Sequence, residues 1–224
     1  MRKLLLSAVV VSLALGLAGC DDAKNKETNS AAAAKSDAPK EGGSLIIGIT
    51  SGDPLAVNPL YASDRTTLTI MQALYAPLYS FNNGNIEWGL AESLTPSADN
   101  LSYTLTLKPN LKWQDGQPLT ADDVVFTFQR IFNRNHPWHN VNGSNFPYFD
   151  SLQFADTVKS VRKLDNRTVE FSLKRPDASF LWHLATHYAS VMSAEYAANL
   201  SKIDRQELID RQPVGTGPFQ LAEY

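Results

Sequence analysis

The sequence predicts a mixed α/β fold, and three stretches carry that reading. Residues 44–50 (SLIIGIT) form a continuous apolar run, suited to a strand buried on both faces. Residues 102–108 alternate, with Tyr103, Leu105 and Leu107 on one face and Thr104, Thr106 and Lys108 on the other, the pattern of a half-buried strand. Residues 121–132 place Val124, Val125, Phe128, Ile131 and Phe132 at helical spacing behind a capping signal. Thr120 stands at the N-cap and Asp123 three residues on, while Asp122 and Asp123 put negative charge at the positive end of the helix dipole.

The chain opens on a different texture. Arg2-Lys3 precede a short apolar run, residues 4–15, and then Leu17-Ala18-Gly19-Cys20. That order resembles a lipobox, in which cleavage before the Cys leaves Cys20 as a lipidated N-terminus. The apolar run is well short of the roughly 20 residues that a spanning helix needs. Residues 1–19 are therefore expected to be a lipoprotein signal peptide. Residues 20–43 are expected to be the lipidated Cys and a flexible tether, because 21–43 hold no aromatic and no branched aliphatic residue. The location implied is the periplasm with a lipid anchor. Asp21 points to the inner membrane by analogy with Gram-negative sorting; a Gram-positive cell would place the protein on the outer face of its membrane.

Beyond the first apolar run, Ser51-Gly52-Asp53-Pro54 is a turn cluster and Asn58-Pro59 a second bend. Residues 66–75 carry Leu68, Met71, Leu74 and Tyr75 at helical spacing, with Pro77 as terminator. Asn82-Asn83-Gly84-Asn85 reads as a hairpin turn. Residues 133–145, rich in Asn, His, Pro and Gly, read as an exposed loop. Residues 158–164 and 168–173 flank Asp165-Asn166 and read as a second hairpin. Helices are expected over 178–187, over 194–198 behind a Ser193 cap, and over 201–211, and a strand is expected to begin near Phe219.

Composition narrows the function classes. A length of 224 residues allows one large domain or two small ones. The formal net charge is −3, and without Arg2 and Lys3 the remainder stands at −5, 18 basic against 23 acidic residues. That balance argues against a nucleic-acid partner. A single cysteine permits no intramolecular disulfide.

Signals for bond-making chemistry are thin. His183 and His187 stand four apart on the expected helix and could pinch a metal, which would support a metal-dependent hydrolase, but Leu184 occupies the position where a metalloprotease motif needs Glu. His136 and His139 flank Pro137-Trp138 in a polar loop, where packing by Trp138 competes with zinc capture. Asp122 and Asp123 point about 100° apart as helix neighbours, so capping explains them better than catalysis. Gly215-Thr216-Gly217-Pro218 is only loosely like a phosphate loop, because Pro218 lacks a backbone N–H. No enzyme activity and no cofactor are expected.

The run W-x-D-G-x-P-L-T-A-D-D-V-V-F-T-F, from Trp113 to Phe128, resembles the signature segment of the family-5 extracellular solute-binding proteins of ABC importers. ADDVVFTFQRIFNRN, VKSVRKLDN, PDASFLWHLATHYASVMSAEYA and DRQPVGTGPFQL make residues 121–224 most similar to the peptide-binding component of Sap-type transporters. Residues 44–118 are more similar to lipid-anchored oligopeptide binders. The resemblance implies a type II periplasmic-binding-protein fold. Of it the chain would hold the first lobe, an incomplete core α/β subdomain (44–78 with 188–224) and an inserted β-rich subdomain (79–187), and the chain is expected to be truncated. The implied function is capture of peptides, antimicrobial peptides among them, for delivery to a membrane permease. The implied partners are a peptide ligand, the ABC permease and ATPase subunits, and the membrane through the lipid at Cys20, with the protein itself a monomer. Other ligands known in the family, haem, nickel, oligosaccharide or polyamine-linked cargo, are alternatives. The loop past a strand's carboxyl end faces the cleft in two-lobed α/β binders. Ser51, Gly52 and Asp53, with Asn58 behind them, are thus the expected ligand contacts.

Overall fold

The computed structural model describes residues 42–48, 52–54, 56–143 and 145–223. The signal segment, Cys20 and Ser51 lie outside the described residues. The chain divides into two units, Met1–Ile46 and Ile47–Tyr224. In the first, described residues 42–46 have no regular secondary structure and Ile46 is 94% exposed. In the second, Ile47 is exposed as well. The strand expected over 44–50 is thus absent from described residues 42–48. A strand buried on both faces needs a ladder neighbour in the sheet and a packed layer on each face; every described strand pair is antiparallel and made by other segments, and Leu45, Ile46 and Ile47 are exposed.

The second unit is built on a four-stranded antiparallel sheet in the order β3-β4-β6-β5. Its strands are β3 (Ala91–Pro96), β4 (Ser102–Leu107), β5 (Val158–Lys163) and β6 (Thr168–Leu173). The predicted alternation of β4 holds, and β6 repeats it. Register pairs Tyr103 with Phe171, Leu105 with Val169 and Val161 with Phe171, so all five bury one face. A separate hairpin, β1 (Tyr79–Asn82) and β2 (Asn85–Trp88), turns through Asn83 and Gly84, both at positive φ as a tight two-residue turn requires.

Helix α1 spans Arg65–Leu74, capped by Asp64, which accepts the Thr67 N–H. Helix α2 spans Ala121–Phe132 and lies on the sheet's apolar face, with the Phe128 ring edge-on to Phe171 at 5.0 Å between centroids. Each such ring contributes about 1.5–3 kcal/mol through burial. The predicted capping box forms: Thr120 caps the helix and its own N–H reaches Asp123 Oδ2 at 2.8 Å. The second Asp123 oxygen accepts the Ala194 N–H at 2.8 Å, so this one carboxylate caps α2 and also α6 (Ala194–Lys202), behind Ser193. Burial raises the Asp123 pKa, against hydrogen bonds that lower it. Helices α3 (Pro147–Ser151) and α4 (Phe154–Thr157) complete the aromatic core through Phe149 and Phe154.

Two expected helices differ. The helix over 178–187 is replaced by α5 (Phe180–Leu184) and a 3-10 turn, His187–Ala189, because Thr186 between them adopts extended backbone. The helix over 201–211 is replaced by the end of α6 and a 3-10 turn, Gln206–Asp210. Helix α6 is stopped by a Schellman closure: Asp204 takes the left-handed conformation, its N–H bonds Ser201 O, and the Arg205 N–H bonds Leu200 O. The strand expected near Phe219 is not formed among residues 218–223.

The Gly215-Thr216-Gly217 segment is clasped from two sides. The N–H groups of Thr216 and Gly217 both bond Leu74 O at the end of α1. Opposite, the Gln114 carboxamide accepts from Gly215 N and donates to Gly217 O. These amides are engaged within the fold, so the segment is not a phosphate cradle.

Candidate functional site

A half-open cavity of about 1390 Å³ lies where three connecting segments of the second unit meet. Ala56 and Tyr61 line it from the first, Asn142 from the loop after α2, and Asp210 and Gln212 from the third, with Glu223 beside them.

The walls are held by a buried polar network centred on Arg130, which is fully buried near the end of α2. Its Nε donates to Trp138 O at 3.0 Å; its Nη2 donates to Tyr61 Oη at 3.1 Å and Val141 O at 3.3 Å. The Tyr61 hydroxyl lies 2.8 Å from both Val141 O and Gly143 O, and the guanidinium stands over its ring at 5.5 Å. Burial raises the Tyr61 pKa, the dominant effect, with the Arg130 charge opposing it. Asp210 Oδ2 sits 3.5 Å from Arg130 Nη2 and accepts from Asn142 Nδ2 at 2.7 Å; Oδ1 accepts from Asn58 Nδ2. Asn142 takes a positive φ of 58° and donates also to Glu207 O at 3.0 Å. A buried ion pair in a network of this kind fixes geometry, and breaking it leaves an uncompensated charge.

The residues singled out from sequence divide. Gly52 and Asp53 are exposed. Asn58 is fully buried, its Oδ1 accepting the Leu60 N–H at 2.9 Å while its amide serves Asp210, so both polar atoms are engaged inside the fold. His183 and His187 do not share a helix face, because α5 ends at Leu184, so the helix that would let the two pinch a metal does not form. His183 Nε2 lies 2.9 Å from Ser179 Oγ and 3.8 Å from Asp177 Oδ2. A nucleophilic triad needs the carboxylate on the other ring nitrogen; here Asp177 bonds the Ser179 hydroxyl and N–H directly, closing the turn before α5. Among the described residues no three His, Cys, Asp or Glu side chains converge as metal ligands. His139 is buried with Nδ1 2.7 Å from Arg130 O, and Trp138 packs in the core, so the loop after α2 is held by packing and hydrogen bonds.

Arg130, Tyr61, Asn142 and Asp210 were not singled out from sequence. A signal for Arg130 exists: Asp123, Thr127 and Arg130 fall at i, i+4 and i+7, a polar stripe on a helix that is otherwise apolar toward the core, and all three are buried. Asp210, 80 residues further on, carries no local signal that it meets the stripe.

Residues 85–224 match the profile described as "Bacterial extracellular solute-binding proteins, family 5 Middle". The chain is 70% identical over 141 residues to the "Peptide transport periplasmic protein SapA" of Salmonella typhimurium, covering 60% of this chain and 26% of that protein. It is 36% identical over 233 residues to "Heme-binding protein A" of Haemophilus influenzae, covering 99% of this chain and 42% of that protein. A solved dipeptide-binding protein of Pseudoalteromonas sp. SM9913, in complex with Met-Leu, superposes with a TM-score of 0.75 at 33% identity, over 77% of this chain and 36% of that one. The chain thus spans between about a quarter and two fifths of the length of these relatives.

Proposed function

The chain belongs to the bacterial extracellular solute-binding proteins of family 5, and from that premise we propose that it serves as the peptide-capturing component of an ABC importer. Its fold is that of the first lobe of type II periplasmic binding proteins. The observation that carries the peptide reading is the open cavity that Asp210 lines and Arg130 braces from behind. Its lining mixes polar and apolar groups, with charges of both signs in Asp210, Glu223 and Arg211. An uncharged amide backbone fits such a surface better than a strongly ionic solute does. Binding needs no covalent step: a cleft that closes desolvates the ligand and offers main-chain partners in the manner of an added strand.

In this reading the loop of Ser51, Gly52 and Asp53 borders the ligand, and Asn58 holds that loop's exit against Asp210. The core subdomain is 44–78 with 188–224, and 79–187 is the inserted part; the whole four-stranded sheet falls within the insert, which supports the division. Lipidation at Cys20 tethers the protein at the membrane on the periplasmic side, beside the permease and ATPase it serves, as a monomer. Antimicrobial peptides are one class of cargo.

Haem is a second reading, because the haem-binding relative matches nearly the whole chain. Titration calorimetry of the full-length protein with trialanine, beside an absorption scan with added haemin, separates the two. Saturable peptide binding without a haem band supports the proposal. A haem band with no peptide heat overturns it.

A further inference from the structure

We infer that the Asp210 carboxylate is a ligand contact, accepting a hydrogen bond from an uncharged N–H of the bound solute; the inference rests on the peptide reading above. Asp210 is 3% exposed and lines the cavity. An ionised carboxylate offers about four acceptor positions. Among the described residues two donors occupy it within hydrogen-bond distance, Asn58 on Oδ1 and Asn142 on Oδ2. Arg130 stands further off, at 3.5 Å, with the same nitrogen already given to Tyr61 Oη and Val141 O. Acceptor capacity therefore remains on a group at the cavity wall.

The two lining donors nearest to it, Asn142 and Tyr61, are engaged internally. The Asn142 amide serves Asp210 and Glu207 O, and the Tyr61 hydroxyl lies against Val141 O and Gly143 O. What the buried wall offers an incoming molecule is an acceptor, so its complement is a donor. The Arg130 guanidinium behind the carboxylate compensates its charge, which removes the preference for an ammonium and favours a neutral amide N–H. Glu223 and Arg211 at the same cavity contribute opposite charges and leave that balance unchanged.

The test is a set of trialanine analogues N-methylated at one peptide nitrogen at a time, and an N-acetylated one, titrated by calorimetry into the full-length protein and its Asp210→Asn variant. The expected result is that one N-methylated analogue binds the wild type roughly tenfold or more weakly than trialanine, the loss of a charge-assisted hydrogen bond. That penalty shrinks in Asp210→Asn, while N-acetylation costs little in either. If Asp210→Asn does not fold, Asp210→Glu, which keeps the charge beside Arg130 but moves the oxygens, takes its place with the same expectation. Equal penalties in wild type and variant overturn the inference, as does a penalty confined to N-acetylation, which would mark a terminal ammonium as the donor. Absence of any trialanine binding to the wild type overturns the peptide reading itself and is distinct from both.

Discussion

Gln114 and Gly215, 101 positions apart in sequence, are joined twice: Gly215 N donates to Gln114 Oε1 at 3.1 Å, and Gln114 N donates to Gly215 O at 3.0 Å. The tryptophan-containing turn thereby reads the backbone of the Gly-Thr-Gly segment. On the far side, a Cβ added at Gly215 would stand 2.0 Å from Leu74 O. Gly215→Ala is predicted to destabilise the protein by about 2–3 kcal/mol, because rigid backbone must move. Urea unfolding followed by circular dichroism checks it; Gly84→Ala, where space is open and only the left-handed φ of +81° strains an alanine, is the comparison and is expected to cost less, about 1–2 kcal/mol.

Asp123→Ala removes caps from two helices at once, its own and α6. At about 1 kcal/mol per cap, the expected loss is about 2 kcal/mol, read from the unfolding midpoint. Asp122→Ala, at the neighbouring position, is expected to stay within about 0.5 kcal/mol, since its salt bridge to Lys163 is largely exposed.

Arg130→Met leaves Asp210 buried without its guanidinium and is predicted to cost about 3–5 kcal/mol. Adding Asp210→Asn is expected to recover part of that loss, so that the double variant is more stable than the sum of the single losses implies. Strict additivity would show that the two groups are not coupled.

Burial holds the imidazoles of His183 and His187 below their ordinary value of 6.5, with Asp177 opposing the shift at His183 and a main-chain hydrogen bond at Tyr75 opposing it at His187. A histidine with a depressed folded-state pKa is neutral in both states above about pH 6.5. On acidification the unfolded chain protonates first, so stability is lost as pH falls below that value. Unfolding midpoints at pH 7.5 and 5.5 are predicted to differ more for the wild type than for His183→Gln/His187→Gln.

The periodic elements were legible because local pattern and tertiary environment agree. The alternation of 102–108 and the capped stripe of 121–132 each place apolar groups where the sheet and helix bury them. The first-lobe type II fold and the family were readable from the Trp113–Phe128 run and the Gly-Thr-Gly-Pro segment. The apolar run at 44–50 was misleading because composition shows the capacity to be buried in a sheet, and pairing partners are a property of the rest of the fold. The two shortened helices failed for local reasons that helical spacing does not register, an extended Thr186 and a left-handed Asp204. The cavity's supports were hidden for another reason. Tyr61, Arg130, Asn142 and Asp210 are ordinary polar residues scattered over 150 positions, and only the folded chain brings them into one network.

The most direct test of the account is hydrogen–deuterium exchange on the full-length protein with and without saturating trialanine. The prediction is ligand-dependent protection over residues 56–63, 141–147 and 208–213, the three segments that meet at the cavity. Peptide binding that leaves all three unchanged, and protects other surfaces, would contradict it.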